Sequence, residues 1–135
     1  MTLIQYVYLY LLTIPIFALF DIAWLGFIAR DFYQDRLAHL LGPVHWPAAI
    51  IFYLIFIAGI LIFAVAPALD SNSLSKAIVL GVLFGFFTYA TYDLTNLATL
   101  KDWPVLVVIV DIMWGAFISG SVATISYLIG KALFL

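Results

Sequence analysis

Four uninterrupted apolar runs, at about 3–29, 47–69, 77–98 and 104–130, constrain this chain more than any motif it carries. A helix crossing the hydrocarbon core needs roughly 20 consecutive, mostly apolar residues, and each run is long enough. None alternates polar with apolar residues in the manner of membrane barrel strands. Inside lipid every backbone N–H and C=O must be satisfied within the segment, so helices are the solution left. Composition agrees, since 67% of the 135 residues are hydrophobic and 9% charged. A soluble domain is roughly half apolar and a quarter charged. The expected fold is all-α: one domain over 1–135, a polytopic antiparallel bundle of four transmembrane helices, with a short interfacial helix after the first.

The formal net charge of -2 is too small to suggest nucleic acid as a partner, and the lack of cysteine excludes disulfides and thiolate metal sites. Run 3–29 is too long for a signal-peptide core, has no basic residue ahead of it and contains Asp21, so it reads as a retained helix. Pro15 predicts a kink near its middle. Across 31–41, Phe32, Arg36/Leu37 and Leu40/Leu41 recur at helical spacing up to Gly42-Pro43. That predicts an amphipathic helix, lying on the headgroup layer or folded over the bundle as a lid. The second run carries no charge and has Tyr53 as its main polar group, which predicts a lipid-facing wall. Gly81 with Gly85, and Ala116 with Gly120 and Thr124, are small-residue faces for helix packing, within the bundle or in a homodimer. Trp46 and Trp103 stand where interfacial aromatics belong. Arg30, Arg36 and Lys101 fall at one membrane face, Lys76, Lys131 and the N-terminal amine at the other, so the positive-inside rule assigns no orientation.

Three lone acids interrupt the runs: Asp21, Asp93 and Asp111. Consecutive helices alternate in direction, and at 1.5 Å per residue all three acids fall roughly 8–13 Å below the same membrane face. An acid near the bilayer centre costs about 2.5–3.5 kcal/mol on insertion scales. Three acids facing lipid separately would cost on the order of 8–10 kcal/mol, which rivals the stability of a fold. Turning inward toward one another removes most of that cost, and a proton or a cation must then offset their repulsion.

Each acid has companions on its helical face. Phe17, Trp24 and Ile28 accompany Asp21; Tyr89 and Asn96 accompany Asp93, with Thr88, Tyr92 and Thr95 nearby; Trp114 and Gly115 adjoin Asp111. The candidate pocket is therefore Asp21, Trp24, Tyr89, Tyr92, Asp93, Asn96, Asp111 and Trp114. Tyrosine, threonine and asparagine can donate to carboxylates, and tryptophan offers an N–H or a cation-attracting face. If a metal binds, Asp21, Asp93 and Asp111 are its candidate ligands. No cofactor is assigned. The windows around Asp21 and Asp111 share the pattern Asp-Ile-x-Trp-x-x-Phe-Ile. A true repeat there would be of inverted topology, a class that places its sites between the repeats.

Phe20-Asp21-Ile22-Ala23-Trp24-Leu25-Gly26, Asp31-Phe32-Tyr33, Phe63-Ala64-Val65-Ala66-Pro67-Ala68-Leu69, Thr91 to Leu100, and Trp103-Pro104 resemble the bacterial membrane family called domain of unknown function 2177. The resemblance runs nearly end to end and includes Asp111 and Trp114. It implies a four-helix, multi-pass protein of the bacterial inner membrane and brings no activity with it.

Two functional readings follow from the acids. One is binding or transport of a proton, a metal ion or an organic cation, for which four helices make a thin pathway and a homodimer is expected. The other is an enzyme acting on a lipid or isoprenoid, with Asp93 or Asp111 as general base or Mg²⁺ ligand and His39 or His45 nearby. The histidine spacing matches no metal signature, and the chain has neither a nucleophile elbow nor a phosphate-binding glycine loop. A plain structural role, with the acids only tying helices together, competes with both, although interhelical polar contacts typically contribute less than about 1–2 kcal/mol each.

Overall fold

A computed structural model describes all residues, 1–135, and its regular elements are all helical. Four helices are long and apolar enough to cross a membrane: α1 (Leu3–Ile28), α3 (Trp46–Asp70), α4 (Leu74–Thr99) and α5 (Val105–Phe134). A short α2 (Arg30–Leu37) links α1 to α3. Side-chain caps fix three of the starts. Thr2 and Gln5 form a reciprocal capping box before α1, and Ser73 accepts from the Lys76 N–H before α4. His45 Nδ1 accepts the Ala48 N–H at 3.2 Å before α3, which gives that histidine a structural task. α4 and α5 outrun their apolar stretches because capped or solvent-facing ends accommodate Lys76 and Lys131, whereas hydropathy registers only the hydrocarbon core.

Helix α1 runs on through Pro15, and its irregular stretch comes later. At Trp24–Ile28 the turns widen, and the Ala29 N–H reaches back five residues to the Trp24 carbonyl at 2.7 Å. A matching wide stretch occupies Leu61–Val65 in α3. There Pro67 cannot donate, and its ring needs room beside the carbonyl four residues earlier. Wide turns of this kind recur at functional sites.

Glycine sets the closest contact in the bundle. A Cβ on Gly85 would lie 1.9 Å from the Gly115 carbonyl oxygen, and one on Gly81 would lie 2.7 Å from the Ala123 Cβ. The α4–α5 seam therefore uses Gly81 and Gly85 against Gly115, Ser119, Gly120 and Ala123. Of the expected partner face, Gly120 lies in this seam, and with Ala116 and Thr124 it also lines a surface groove with Phe20, Val82 and Phe117.

Helix α3 has the outward-facing side that its composition suggested and, in addition, a side built into the core. Phe56, Ile57, Ile60, Leu61, Ala64, Val65, Ala68 and Leu69 are buried in the core, while Ile51, Ile55 and Ile62 face outward. Lipid tails are as apolar as a protein interior, so hydropathy alone cannot tell the two faces apart. The second half of α3 packs on α4, whereas its first half packs on α1 and has no comparable backbone contact with α4. Phe84 fills the fork, with its ring against Gly59 and between Phe56 and Phe63.

Candidate functional site

Beyond that fork the helices enclose a cavity of about 730 Å³, within the range of ligand sites for small molecules. Asp21 and Leu25 of α1, Ala49, Phe52, Tyr53 and Phe56 of α3, and Thr88, Tyr89 and Tyr92 of α4 line its walls. Asp111 and Trp114 of α5 and Trp103 from the last loop complete them, and Tyr33, Leu37 and Leu41 close the remaining side. No lysine, arginine or histidine is among these residues.

The interfacial segment covers one side of the cavity, as a lid would. Tyr33, Leu37 and Leu41 recur every four residues, which puts them on one face, and Leu37 is buried. The helix stops at Leu37 and a turn carries Ala38–Leu40, so it is shorter than the 31–41 reading. On its outer side Arg36 stacks over the Phe32 ring at 4.3 Å. His39 is exposed in the turn.

Two tyrosines hold the acids that face the cavity. The Tyr53 hydroxyl donates to Asp21 Oδ2, and the Tyr33 hydroxyl donates to Asp111 Oδ1. Tyr33 also accepts from the Trp24 indole N–H at 3.1 Å. Burial and the neighbouring Asp111 carboxyl push the Tyr33 hydroxyl well above the ordinary tyrosine range. It therefore stays protonated and available as a donor.

The two tryptophans of the repeated pattern stack face to face, with centroids 4.4 Å apart and planes 6° apart. Trp114 lies beside Asp21, and Trp24 reaches Asp111 through Tyr33, so each motif's tryptophan stands next to the other motif's acid. Tyr89 projects from α4 into the middle of this group, with its ring on Gly115 and edge-on to Phe56 at 6.0 Å.

Asp93 differs from the other two acids. It is fully buried behind the cavity wall, close to the Asp111 carboxyl and the Trp103 indole, and neither of its oxygens has a hydrogen-bond partner. The indole N–H groups of Trp103 and Trp114 are buried and unpaired as well.

Asp21, Trp24, Tyr89, Tyr92, Asp111 and Trp114 thus gather in or against the cavity, Asp93 sits behind it, and Asn96 lies one turn further along α4. The three carboxyls do not form one metal-ligand set, and no group of three acidic or histidine side chains is placed to hold an ion. The reason is visible in the bonds: Tyr53 draws Asp21 toward α3, while Tyr33 draws Asp111 toward α2. Sequence reasoning missed Tyr33, Tyr53, Phe52, Phe56 and Trp103. The four-residue spacing of Tyr33, Leu37 and Leu41, and the lone hydroxyl of Tyr53 in an uncharged helix, were the available signals.

A family model described as a predicted membrane protein matches residues 6–128. No curated protein and no solved structure matches the chain. The matched span reaches into all four membrane-crossing helices and takes in every residue of the cavity, and the chain belongs to the family of predicted membrane proteins called domain of unknown function 2177.

Proposed function

We propose that the chain binds an organic cation in the Asp21–Asp111 cavity, as a binding or transport protein of the bacterial inner membrane. One observation carries the reading: two carboxyls face an aromatic cavity that no basic side chain enters. Aromatic faces attract a quaternary or protonated amine most strongly where water is excluded, and the carboxylates supply the countercharge. An organic cation suits the site better than a bare metal ion, because tyrosine hydroxyls occupy Asp21 and Asp111 and no three ligands converge. Transport through four helices calls for a second copy, and the open groove along Ala116, Gly120 and Thr124 offers a surface for a homodimer.

The test is a fluorescence titration of the purified protein in lipid nanodiscs with benzyltrimethylammonium, read on the tryptophan emission, to which Trp103 and Trp114 contribute from the cavity wall. Wild type is expected to quench saturably, and Asp111→Asn to lose about tenfold in affinity, or about 1.4 kcal/mol. A wild-type protein without saturable quenching would overturn the reading.

The fork between α3 and α4 favours one other function, an enzyme that takes a lipid or isoprenoid from the bilayer. Incubation with total membrane lipid and Mg²⁺, followed by mass spectrometry of wild type against Asp93→Asn, decides it. Identical lipid profiles remove the enzyme.

A further inference from the structure

We infer that the bound cation carries a single apolar tail, and that the tail lies in and enters through the gap between the first half of α3 and the second half of α4. This rests on the cation-binding reading above.

The order of helices around the cavity is α3, α1, α5, α4, with backbone packing across the first three boundaries and α3 and α4 joined only at their far ends. The remaining boundary, from α4 back to α3 on the cavity side, is bridged at its base by Phe84 and by the Phe56–Tyr89 ring contact, and has no close backbone packing beyond them. Its flanks are Phe52, 47% exposed, and Tyr92, 58% exposed, both of which also line the cavity. Neither flank carries a charge. A ligand that crosses this boundary meets lipid rather than water, since α3 and α4 both span the membrane.

The charges stand on the opposite side. Asp21 and Asp111 project from α1 and α5, the helix pair across the cavity from the gap. The headgroup side is covered by Tyr33, Leu37 and Leu41 of α2 and the turn after it. A ligand that satisfies both ends therefore places its ammonium head against α1 and α5 and its tail toward α3 and α4. Leu25, Leu37, Leu41, Ala49, Phe52 and Phe56 line it with pure hydrocarbon side chains, which suits a tail. The ligand class is a single-chain cationic amphiphile, an alkylammonium.

The chain has no cysteine, so the gap can be bridged selectively. Alkyltrimethylammonium ions from butyl to decyl are titrated against the wild-type protein in nanodiscs, with empty nanodiscs subtracted. Affinity is expected to rise about fourfold per added methylene, the value for a buried CH₂. The double variant Phe52→Cys/Tyr92→Cys is then bridged with a bifunctional maleimide, with a monofunctional maleimide on the same variant as control for bulk. Association of decyltrimethylammonium is expected to slow at least tenfold in the bridged protein relative to that control.

Affinity that stays flat with chain length would overturn the tail. Equal association rates in bridged and control protein would overturn the route. A wild-type protein that binds none of these ions fails the cation reading itself, a different outcome from binding that ignores the tail or the bridge.

Discussion

The half of the bundle around Leu9, Thr13 and Tyr127 and the half around Tyr89 use similarly apolar helices to opposite effect. In the first, Ala64, Ala68, Ala77, Ala123 and Gly130 let backbones approach, and Leu9, Val65, Val122 and Tyr127 are fully or almost fully buried. Its main polar pair is short and neutral, with Thr13 donating to the Leu9 carbonyl at 2.7 Å and sharing a hydrogen bond with Ser126 at 2.9 Å. In the second, Phe52, Tyr53, Phe56, Tyr89 and Trp114 replace the small residues, and a cavity of about 730 Å³ remains. Large rigid rings hold the helices apart where small residues would let them close. The half that fails to close is also the half that holds the acids. Burying an acid costs several times what an interhelical hydrogen bond returns, so the open half gives up stability that the closed half supplies.

The contrast breaks most severely at its shared seam. Gly85→Val places a branched side chain where even a Cβ would strike the Gly115 backbone, and Gly115 in turn carries the Tyr89 ring. A loss of about 3 kcal/mol is expected, as for overpacking against backbone that cannot move, measured by denaturation in mixed micelles. An unchanged midpoint would mean that the α4–α5 seam does not set the bundle.

A smaller effect belongs to the open half. Tyr53→Phe removes the donor to Asp21 and leaves a carboxyl oxygen unpaired, with an expected loss of about 1–3 kcal/mol. The same denaturation series checks it, and a gain in stability would show that Asp21 is satisfied without Tyr53.

The smallest change is expected in the closed half. Ser126→Ala deletes a neutral interhelical hydrogen bond, and Thr13 keeps its bond to the Leu9 carbonyl. A loss of about 0.6 kcal/mol follows, the average for such contacts in membranes. A loss larger than that of Tyr53→Phe would reverse the roles given to the two halves.

Much of this was legible in the residues because lipid imposes length and apolarity so strictly. The four spans and the antiparallel order followed from run length and short polar turns, and the inward turn of Asp21, Asp93 and Asp111 followed from the cost of leaving them in lipid. What remained hidden was rotation. Hydropathy does not separate the side of α3 that carries Tyr53 and Phe56 from the side that carries Ile51 and Ile55, because both are apolar. The wide turns at Trp24–Ile28 and Leu61–Val65 shift the facing of everything after them, and they are set by hydrogen-bond geometry rather than by composition. That is why Tyr33 and Tyr53, which settle where two acids point, emerged only with the fold.

The most direct measurement of the cation site is protection of its carboxyls from chemical labelling. The protein in nanodiscs is treated with a bilayer-permeant carbodiimide, with and without saturating benzyltrimethylammonium, and the modified residues are located by peptide mass spectrometry. A cation seated between α1 and α5 protects both Asp21 and Asp111 and leaves the exposed Asp31 and Asp102 as reactive as before. Equal labelling of Asp21 and Asp111 with and without the cation would contradict the site.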